Sequence, residues 1–261
     1  MSKVIVCYGK DIIERTIRAL EILSPSLPQK NTKIILKPNI VEPMAKNSGS
    51  VTRPEVIEGI IGFLGDKSFE IYIAEGAAVC DTMKCFKEAG YLYLEKKYSL
   101  KIRDLHTLPF VKVQGKVWKE FEIAELLKGA YVISVPVLKQ HPFHVTLSLK
   151  NMMGILKPRT TCPTKGYMHE ETDRTIWAER LLDLVNHVRP QLAVIDATTG
   201  MFDSHLHGRL KTFNATIVSE DALACDIAGA HFLGNKNVFY LDMALKRGMG
   251  ELPTIIEKTL P

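Results

Sequence analysis

The chain has 261 residues, of which 46% are hydrophobic and 24% charged, with a net charge of +5. This composition is typical of a globular domain with a sizeable core. No apolar run reaches the length of about 18 residues that would indicate a transmembrane span. The modest net charge by itself favours no particular partner.

The cysteines and the N-terminus indicate the cellular compartment. The five cysteines are odd in number and scattered, which predicts no disulfide framework and a reducing, cytoplasmic compartment. Residues 1–11 are predicted to form a short strand that leads into a charged helix. They turn polar too quickly for a signal peptide.

The first hundred residues alternate strands with helices. Thr52 fits the N-cap of one helix, with Pro54 at an early helical position and Glu55 as the capping-box partner. The predicted order is strand 4–7, helix 11–23, strand 33–36, a helix that opens at 52–55 and runs to 64, strand 69–74 and helix 80–89.

The remaining residues continue this alternation after a small hairpin. The hairpin is predicted from two short runs, 110–113 and 117–123. A Pro- and Thr-rich segment, 157–170, is predicted to be a mobile loop or lid. The other predicted elements are strand 131–135, helix 145–153, helix 175–188, strand 192–195, strand 213–218, a helix capped by Ser219 that runs to 232, and helix 238–246.

Strands that alternate with helices predict the fold class. We expect a three-layer α/β fold with a mostly parallel sheet, helices on both faces and one small hairpin insertion. Because no repeat, low-complexity tract or linker interrupts the sequence, we expect one domain over residues 1–261.

Polar side chains follow several of the predicted strands. In open α/β sheets, ligands bind beyond the carboxyl ends of the strands. Loops are polar in any case, but here Gly and Pro, which fix the backbone, stand beside the polar residues. The strand-end residues are Lys37 and Asn39, Glu75, Lys139 and His141, and Asp196.

A long window of the sequence contains no acidic residue. No Asp or Glu occurs between Glu125 and Glu170. Unopposed basic groups attract phosphate or carboxylate, although a solvated basic face would have a similar composition. The interleaved Pro, Gly, Met and Leu favour a site. The basic residues and histidines of the window are Lys128, Lys139, His141, His144, Lys150, Lys157, Arg159, Lys165 and His169.

Several single residues have both a functional and a structural interpretation. Lys150 and Asn151 lie in an apolar segment, so the lysine either extends to solvent or faces a site. Arg53, next to a helix start with free N–H groups, either binds an anion or is a surface arginine. Roles in ligand contact and in structure stay open for His169 and Asp226. No metal site is predicted.

A set of motifs resembles a known family. With these motifs in this order, the chain resembles the family called domain of unknown function 362, whose members are often iron–sulfur-associated. The motifs are Lys37-Pro-Asn-Ile40, Val135-Pro-Val-Leu-Lys-Gln-His141, Leu149-Lys-Asn-Met-Met-Gly154, His169, Asp196-Ala-Thr-Thr-Gly200 and Asp221-Ala-Leu-Ala-Cys-Asp226.

The resemblance implies a link to iron–sulfur proteins, but this chain lacks the closely spaced cysteines of many relatives. Its close pair, Cys80 and Cys85, would face apart on a helix. The resemblance therefore favours an iron–sulfur protein as a partner over a cluster within this chain.

A more distant resemblance is to the lactate-racemase-like family, which uses a nickel-pincer nucleotide. It rests on Thr52-Arg-Pro54, on the stretch from His141 to Lys150, and on His169. It implies that Lys150 holds or attaches a cofactor and that histidines move protons. Because the glycine cluster expected near the lysine is absent, the cofactor stays unassigned.

The sequence thus leaves three functional hypotheses. The first is an enzyme that acts on an anionic small molecule or phosphate-bearing cofactor. The second is a non-catalytic ligand carrier or a partner of an iron–sulfur electron-transfer protein. The third, nucleic-acid binding, is disfavoured because the basic window has few aromatics and no standard motif. For the enzyme, we expect His141, Lys150 and His169 as catalytic residues and Lys37, Asn39, Arg53, Lys139, Asn151 and Asp196 as ligand-binding residues.

Overall fold

The computed structural model describes residues 1–65, 69–142, 144–168 and 170–261, with the backbone alone for His144. The strands are β1 (Ser2–Tyr8), β2 (Lys33–Pro38), β3 (Glu70–Glu75), β4 (Leu100–Asp104), β5 (Phe110–Val113), β6 (Phe121–Ala124), β7 (Tyr131–Val135), β8 (Val137–His141), β9 (His144–Thr146), β10 (Leu192–Phe202), β11 (Arg209–Ser219) and β12 (Pro253–Thr259). The α-helices are α1 (Ile12–Leu23), α2 (Pro54–Leu64), α3 (Thr82–Glu88), α4 (Tyr93–Lys97), α5 (Ser148–Asn151), α6 (Arg174–His187), α7 (Ala222–Phe232) and α8 (Phe239–Lys246).

A mixed sheet has the strand order β12-β1-β11-β10-β7-β2-β3-β4. Its pairs are parallel except on the two sides of β11, which is antiparallel to both β1 and β10. The short strand β8 pairs in parallel with β10 and antiparallel with β9. β5 and β6 form a separate hairpin. The predicted mostly parallel sheet with one hairpin insertion is confirmed.

The sheet separates two apolar cores. On β2, Ile34 and Leu36 belong to the core that α1 to α4 cover, whereas Ile35 belongs to the core under α5 to α8. Successive side chains of a strand point to opposite faces, so a strand with a helix layer on each side must be apolar at every position. This explains the continuous apolar run of β2, and it confirms the predicted three layers.

None of the helices in the described part of the chain has the length and apolarity needed to cross a membrane.

Aspartates cap four of the α-helices given above. Asp11 accepts a hydrogen bond from the backbone of α1, Asp81 does so for α3, Asp173 for α6 and Asp221 for α7. A carboxylate at this position satisfies N–H groups that the helix itself leaves unpaired. The prediction that Ser219 caps α7 is wrong, because Ser219 is the last residue of β11 and its hydroxyl donates to the carbonyl of Lys3.

The prediction for the start of α2 is also wrong by one residue. Arg53 occupies the N-cap and makes no side-chain cap bond. The hydroxyl of Thr52 instead donates to the carbonyl of Val135 over 2.6 Å and accepts from the backbone N–H of Asn39 over 2.9 Å. Thr52 therefore joins the carboxyl ends of β7 and β2, a long-range role that competes with local capping.

Other differences concern element length. The predicted helix 145–153 is in fact the end of β9, the single turn α5 and a 3-10 turn over Met152–Ile155. The predicted strands 192–195 and 213–218 are parts of β10 and β11, which are longer at the ends where polar residues occur. The sequence pattern also did not indicate β4, β8 or β12, or helix α4.

Strand β10 continues through a polar stretch because the buried carboxylate of Asp196 has hydrogen-bond partners there. Asp196 is fully buried, and its carboxylate accepts from the backbone N–H of Arg53 over 3.0 Å and from the guanidinium over 3.2 Å. It also accepts from the hydroxyl of Thr198 over 2.6 Å. Thr198 in turn accepts from Arg15 of α1. One carboxylate thus ties α2 and α1 to the middle of the sheet.

We predict that Asp196→Ala lowers the free energy of unfolding by about 3–5 kcal/mol, because it leaves a buried guanidinium without its anion. Urea denaturation measures the loss. Asp173→Ala, which removes an exposed helix cap, is the matched control and should cost about 1 kcal/mol. An equally small decrease in the free energy of unfolding in both variants would contradict the conclusion that Asp196 stabilises the interior by pairing with Arg53.

Candidate functional site

A buried ion pair lies where two parallel strands end. The Lys37 ammonium of β2 is 2.8 Å and 2.9 Å from the two carboxylate oxygens of Glu75 at the end of β3. Their side chains are only 0% and 3% exposed. Burial lowers the pKa of Lys37 and raises the pKa of Glu75, while the attraction between the two charges opposes both shifts. Lys37 therefore already has an anionic partner within the protein.

Asn151 of α5 locks this pair to the neighbouring strands. Its Oδ1 accepts from the Lys37 ammonium over 3.3 Å and from Asn39 Nδ2 over 3.1 Å. Its Nδ2 donates to the carbonyl of Lys37 over 3.0 Å and to the hydroxyl of Ser134 over 3.1 Å. The two motifs Lys-Pro-Asn and Leu-Lys-Asn-x-x-Gly therefore contact each other directly.

Two glycines allow the backbone to approach the ion pair. A Cβ on Gly154 would lie 1.9 Å from Glu75 Oε1 and 2.7 Å from Lys37 Nζ. A Cβ on Gly76 would lie 2.5 Å from the carbonyl oxygen of Gly154. Distances this short exclude any side chain. The glycine at the end of the Leu-Lys-Asn-x-x-Gly motif is thus required by contact with Glu75.

Asp226 of α7 positions α5 from the neighbouring helix of the same layer. Its two carboxylate oxygens accept from the backbone N–H groups of Ser148 over 2.7 Å and Leu149 over 2.9 Å. Burial raises its pKa to about 7. Asp226 does not line the cavity described next, so the geometry gives it the structural role among the two that the sequence left open.

A cavity of about 360 Å³ opens beside these groups. It lies against residues that follow the carboxyl ends of β2, β3 and β8, as expected for a parallel sheet. It is lined by Asn39, Ile40, Val41, Glu75, Gly76, Ala78, His141, Pro142, Thr146, Lys150, Asn151, Met153, Gly154, Pro163, Lys165 and His205.

Lys150 differs from the other buried lysines near the cavity. Its residue is 7% exposed, and within the described residues its ammonium has neither a carboxylate nor a hydrogen-bond acceptor as partner. Burial lowers the pKa of Lys150 to about 7. Lys139, which does not line the cavity, donates to the carbonyl of Ser50 over 2.6 Å. Burial, followed by the charge of Lys150, lowers the pKa of Lys139 to about 7.

Two histidines lie beside Lys150. The rings of His141 and His205 have their centroids 4.5 Å apart, and both residues line the cavity. Burial lowers the pKa of His205 to about 4, and the charges of Lys139 and Lys150 act in the same direction. His205 is therefore neutral at pH 7 and can accept a proton or a hydrogen bond.

Residues 163–165 of the predicted lid segment close another side of the cavity. Thr164 donates to the carbonyls of Ala78 and Ala77 over 2.7 Å each, through its N–H and its hydroxyl. These contacts hold Pro163 and Lys165, which line the cavity, against the loop that follows β3. Whether the segment moves stays a prediction.

A disulfide joins the same two segments. Cys80 is bonded to Cys162, with the Cα atoms 6.2 Å apart. The expectation of a chain without disulfides is therefore wrong. A separation of 82 residues along the sequence conceals the pair. Cys7, Cys85 and Cys225 are free and buried.

The structure brings together most of the predicted site residues. Lys37, Asn39 and Asn151 form the cluster around Glu75, and His141 and Lys150 line the cavity with Lys139 close behind. Arg53 and Asp196 pair with each other, and neither is among the lining residues. His169 lies outside the described residues.

Three residues of the site were missing from the sequence-based set. The sequence signals for them were a strand end for Glu75, the acid-free window for Lys165 and, for His205, a second histidine two residues later, His207. None of these signals by itself distinguishes a site residue from a loop residue. The described residues contain no group of three or more His, Cys, Asp or Glu side chains that could hold a metal ion.

Residues 34–231 match the family described as domain of unknown function (DUF362), and the chain belongs to this family. The chain is 24% identical over 241 residues to a thylakoid-associated protein from Synechocystis sp., a match that covers 88% of this chain and 71% of that protein.

A solved structure has a similar fold. It is the lactate racemase apoprotein from Thermoanaerobacterium thermosaccharolyticum, with a TM-score of 0.54 and 14% identity. The match covers 88% of this chain and 57% of that one, so this chain spans little more than half of its length. The similarity concerns the fold, and it supports the more distant of the two resemblances stated above.

We predict that Gly154→Ala lowers the free energy of unfolding by at least about 1–3 kcal/mol, because the added methyl group would overlap Glu75 in a packed interior. Chemical denaturation measures the change. Gly62→Ala in α2 is the matched control, since its Cβ meets only the side chain of Ile17 at 3.0 Å. A Gly154→Ala protein as stable as the control would show that the backbone at Gly154 is not in close contact with the Lys37–Glu75 ion pair.

Proposed function

We propose that the cavity binds a small anionic molecule that carries a phosphate or carboxylate group, and that the protein acts on it as an enzyme through lysine and histidine chemistry. The observation that carries this proposal is the Lys150 ammonium. It faces a cavity and has no anionic partner among the described residues.

The charges around the cavity favour an anion. Lys37 and Glu75 neutralise each other, whereas among the described residues the Lys139 ammonium donates to a neutral group, the carbonyl of Ser50. An uncompensated ammonium in a buried position is unfavourable, and its field is strong because little water screens it. An anion that enters the cavity would supply the missing partner of Lys150 and relieve the repulsion between Lys150 and Lys139.

The neighbouring histidines support the catalytic part of the proposal. A proton-transfer group needs to lie within hydrogen-bond reach of the bound molecule. His141 and His205 line the same cavity as Lys150 and contact each other. The similar fold belongs to a protein named for its action on lactate, which supports a carboxylate as one candidate class of ligand.

We predict that sulfate, whose charge is constant from pH 6 to pH 9, binds with an affinity that falls about tenfold per pH unit above pH 7. The pKa of Lys150 lies near 7, so above that value binding must be accompanied by uptake of a proton. Below pH 7 the lysine is already protonated, and the affinity should level off. Isothermal titration calorimetry from pH 6 to pH 9 measures the slope.

Lys150→Met is expected to weaken sulfate binding at pH 6.5 and to reduce the pH slope, part of which remains because the pKa values of Lys139 and Lys165 are also about 7. Lys128→Met, which changes an exposed lysine of the same acid-free window, is the matched control and should leave both unchanged. Equal affinities in the two variants would exclude Lys150 as the anion contact. Native mass spectrometry of the purified protein is the complementary experiment, because a copurifying anion would identify the ligand class.

A non-catalytic carrier would use Lys150 but not the histidines. The two possibilities differ in hydrogen exchange at carbon, which a proton-transfer enzyme catalyses and a carrier does not. Incubation with a panel of small 2-hydroxy and 2-oxo carboxylates in D₂O, followed by mass spectrometry, measures it. Deuterium uptake that His141→Ala abolishes while binding is retained would exclude the carrier. Binding without exchange in either protein would count against the enzyme.

A further inference from the structure

We propose that the Cys80–Cys162 disulfide is a redox switch of the anion site, and that it acts by holding Lys165 in the cavity as a second cationic contact for the ligand. This inference rests on the anion site proposed above and adds its regulation. It concerns a lysine on the lid, whereas the proposed function depends on Lys150.

Lys165 has a hydrogen-bond donor to spare. An ammonium group has three N–H donors. One is given to the carbonyl of Leu156, and the second contact is with His106 Nε2 at 3.2 Å. His106 is neutral, because burial and then the charge of Lys165 lower its pKa to about 4, so Nε2 can act as the acceptor. The third N–H remains for a molecule in the cavity that Lys165 lines.

Few attachments join the segment that carries Lys165 to the loop that follows β3. Three residues before Lys165, Cys162 is bonded to Cys80 of the loop that also supplies Gly76 and Ala78 to the cavity wall. The remaining attachments to that loop are the two hydrogen bonds of Thr164. Since hydrogen bonds exchange readily and a disulfide does not, the covalent bond is the attachment that holds the lid most firmly against the wall.

The bond is accessible to a reductant. Cys80 and Cys162 are both exposed residues, in contrast to the three buried free cysteines. A dithiol can therefore attack one sulfur, form a mixed disulfide and then cyclise to its own disulfide. The protein gains two thiols, the dithiol loses two hydrogens and becomes the oxidised compound, and no other reactant is needed.

Opening of the bond should lower anion affinity by releasing Lys165 from its place. The charged groups that face Lys165 are Glu75, Lys37 and Asp104, together with neutral His106. Lys37 and Glu75 stay where they are, because strands and α5 hold them. The reduced protein therefore keeps Lys150 and the ion pair but loses a positive charge at the lid.

The test compares the affinity for sulfate of the full-length oxidised chain with that of the same protein in dithiothreitol, by calorimetry at pH 6.5. We expect reduction to weaken binding by about ten- to a hundred-fold, the range of a lost charge-assisted contact. Thiol titration in urea should count three thiols before reduction and five after it, in agreement with one bonded pair among five cysteines. Five thiols before reduction would overturn the proposal.

Two variants identify the residue responsible. Cys162→Ser should bind sulfate as the reduced protein does, with or without dithiothreitol. Lys165→Met should bind as weakly as reduced wild type and show no response to dithiothreitol, and a retained response would overturn the role of Lys165. Equal affinity of oxidised and reduced wild type, with weak binding by Lys150→Met, would overturn the switch and leave the anion site standing. No sulfate binding in either redox form would overturn both.

Discussion

The site depends on a salt bridge that is almost completely withdrawn from water. Two charges at this depth are stable only if each has its counter-ion and their remaining hydrogen-bonding capacity is used. Glu75 meets this requirement with Lys37 and the backbone N–H groups of Gly76 and Ile40. The carboxyl ends of β2 and β3 are thereby fixed relative to each other, and with them the wall of the cavity.

The same constraint explains why other basic groups remain uncompensated. The acid-free window removes carboxylates from the segment that carries Lys139, Lys150 and Lys165, and Glu75 from outside the window is already paired with Lys37. Asp196 is likewise paired with Arg53. Within the described part of the chain, these two buried acids thus have structural partners, and the Lys150 ammonium at the cavity has no internal counter-ion.

Much of this arrangement follows from sequence patterns, since strands buried on both faces produce continuous apolar runs and parallel strands bring their ends to one edge. Lys37, Asn39, His141 and Lys150 could be assigned to that edge for this reason. The sequence pattern gave wrong predictions where contacts with residues distant along the chain override the local preference of a residue for a helix cap or a loop. Thr52 binds the ends of two strands instead of capping a helix, and β10 continues past a carboxylate because arginines from other elements satisfy it.

Contacts between loops could not be predicted from the sequence either. Cys80 and Cys162, Lys165 and His106, and the ring pair of His141 and His205 each join segments whose separation along the chain conceals their proximity. Loop conformation depends on the surrounding tertiary structure, and alternation of polar and apolar residues contains no information about it. The extent of the cavity could therefore not be derived from the order of elements.

The attachment of α5 to Asp226 has a consequence for the evolution and engineering of this site. Four residues are too few for an autonomous helix, so the direction of Lys150 is set by a carboxylate on a different helix, 76 residues further along the chain. Transplanting the segment 149–154 into a loop of another scaffold would carry over the amino acids without their orientation. The site is therefore inherited as the segment 149–154 together with Asp226. A library that varies the segment must keep Asp226, and one that varies Asp226 must keep the segment.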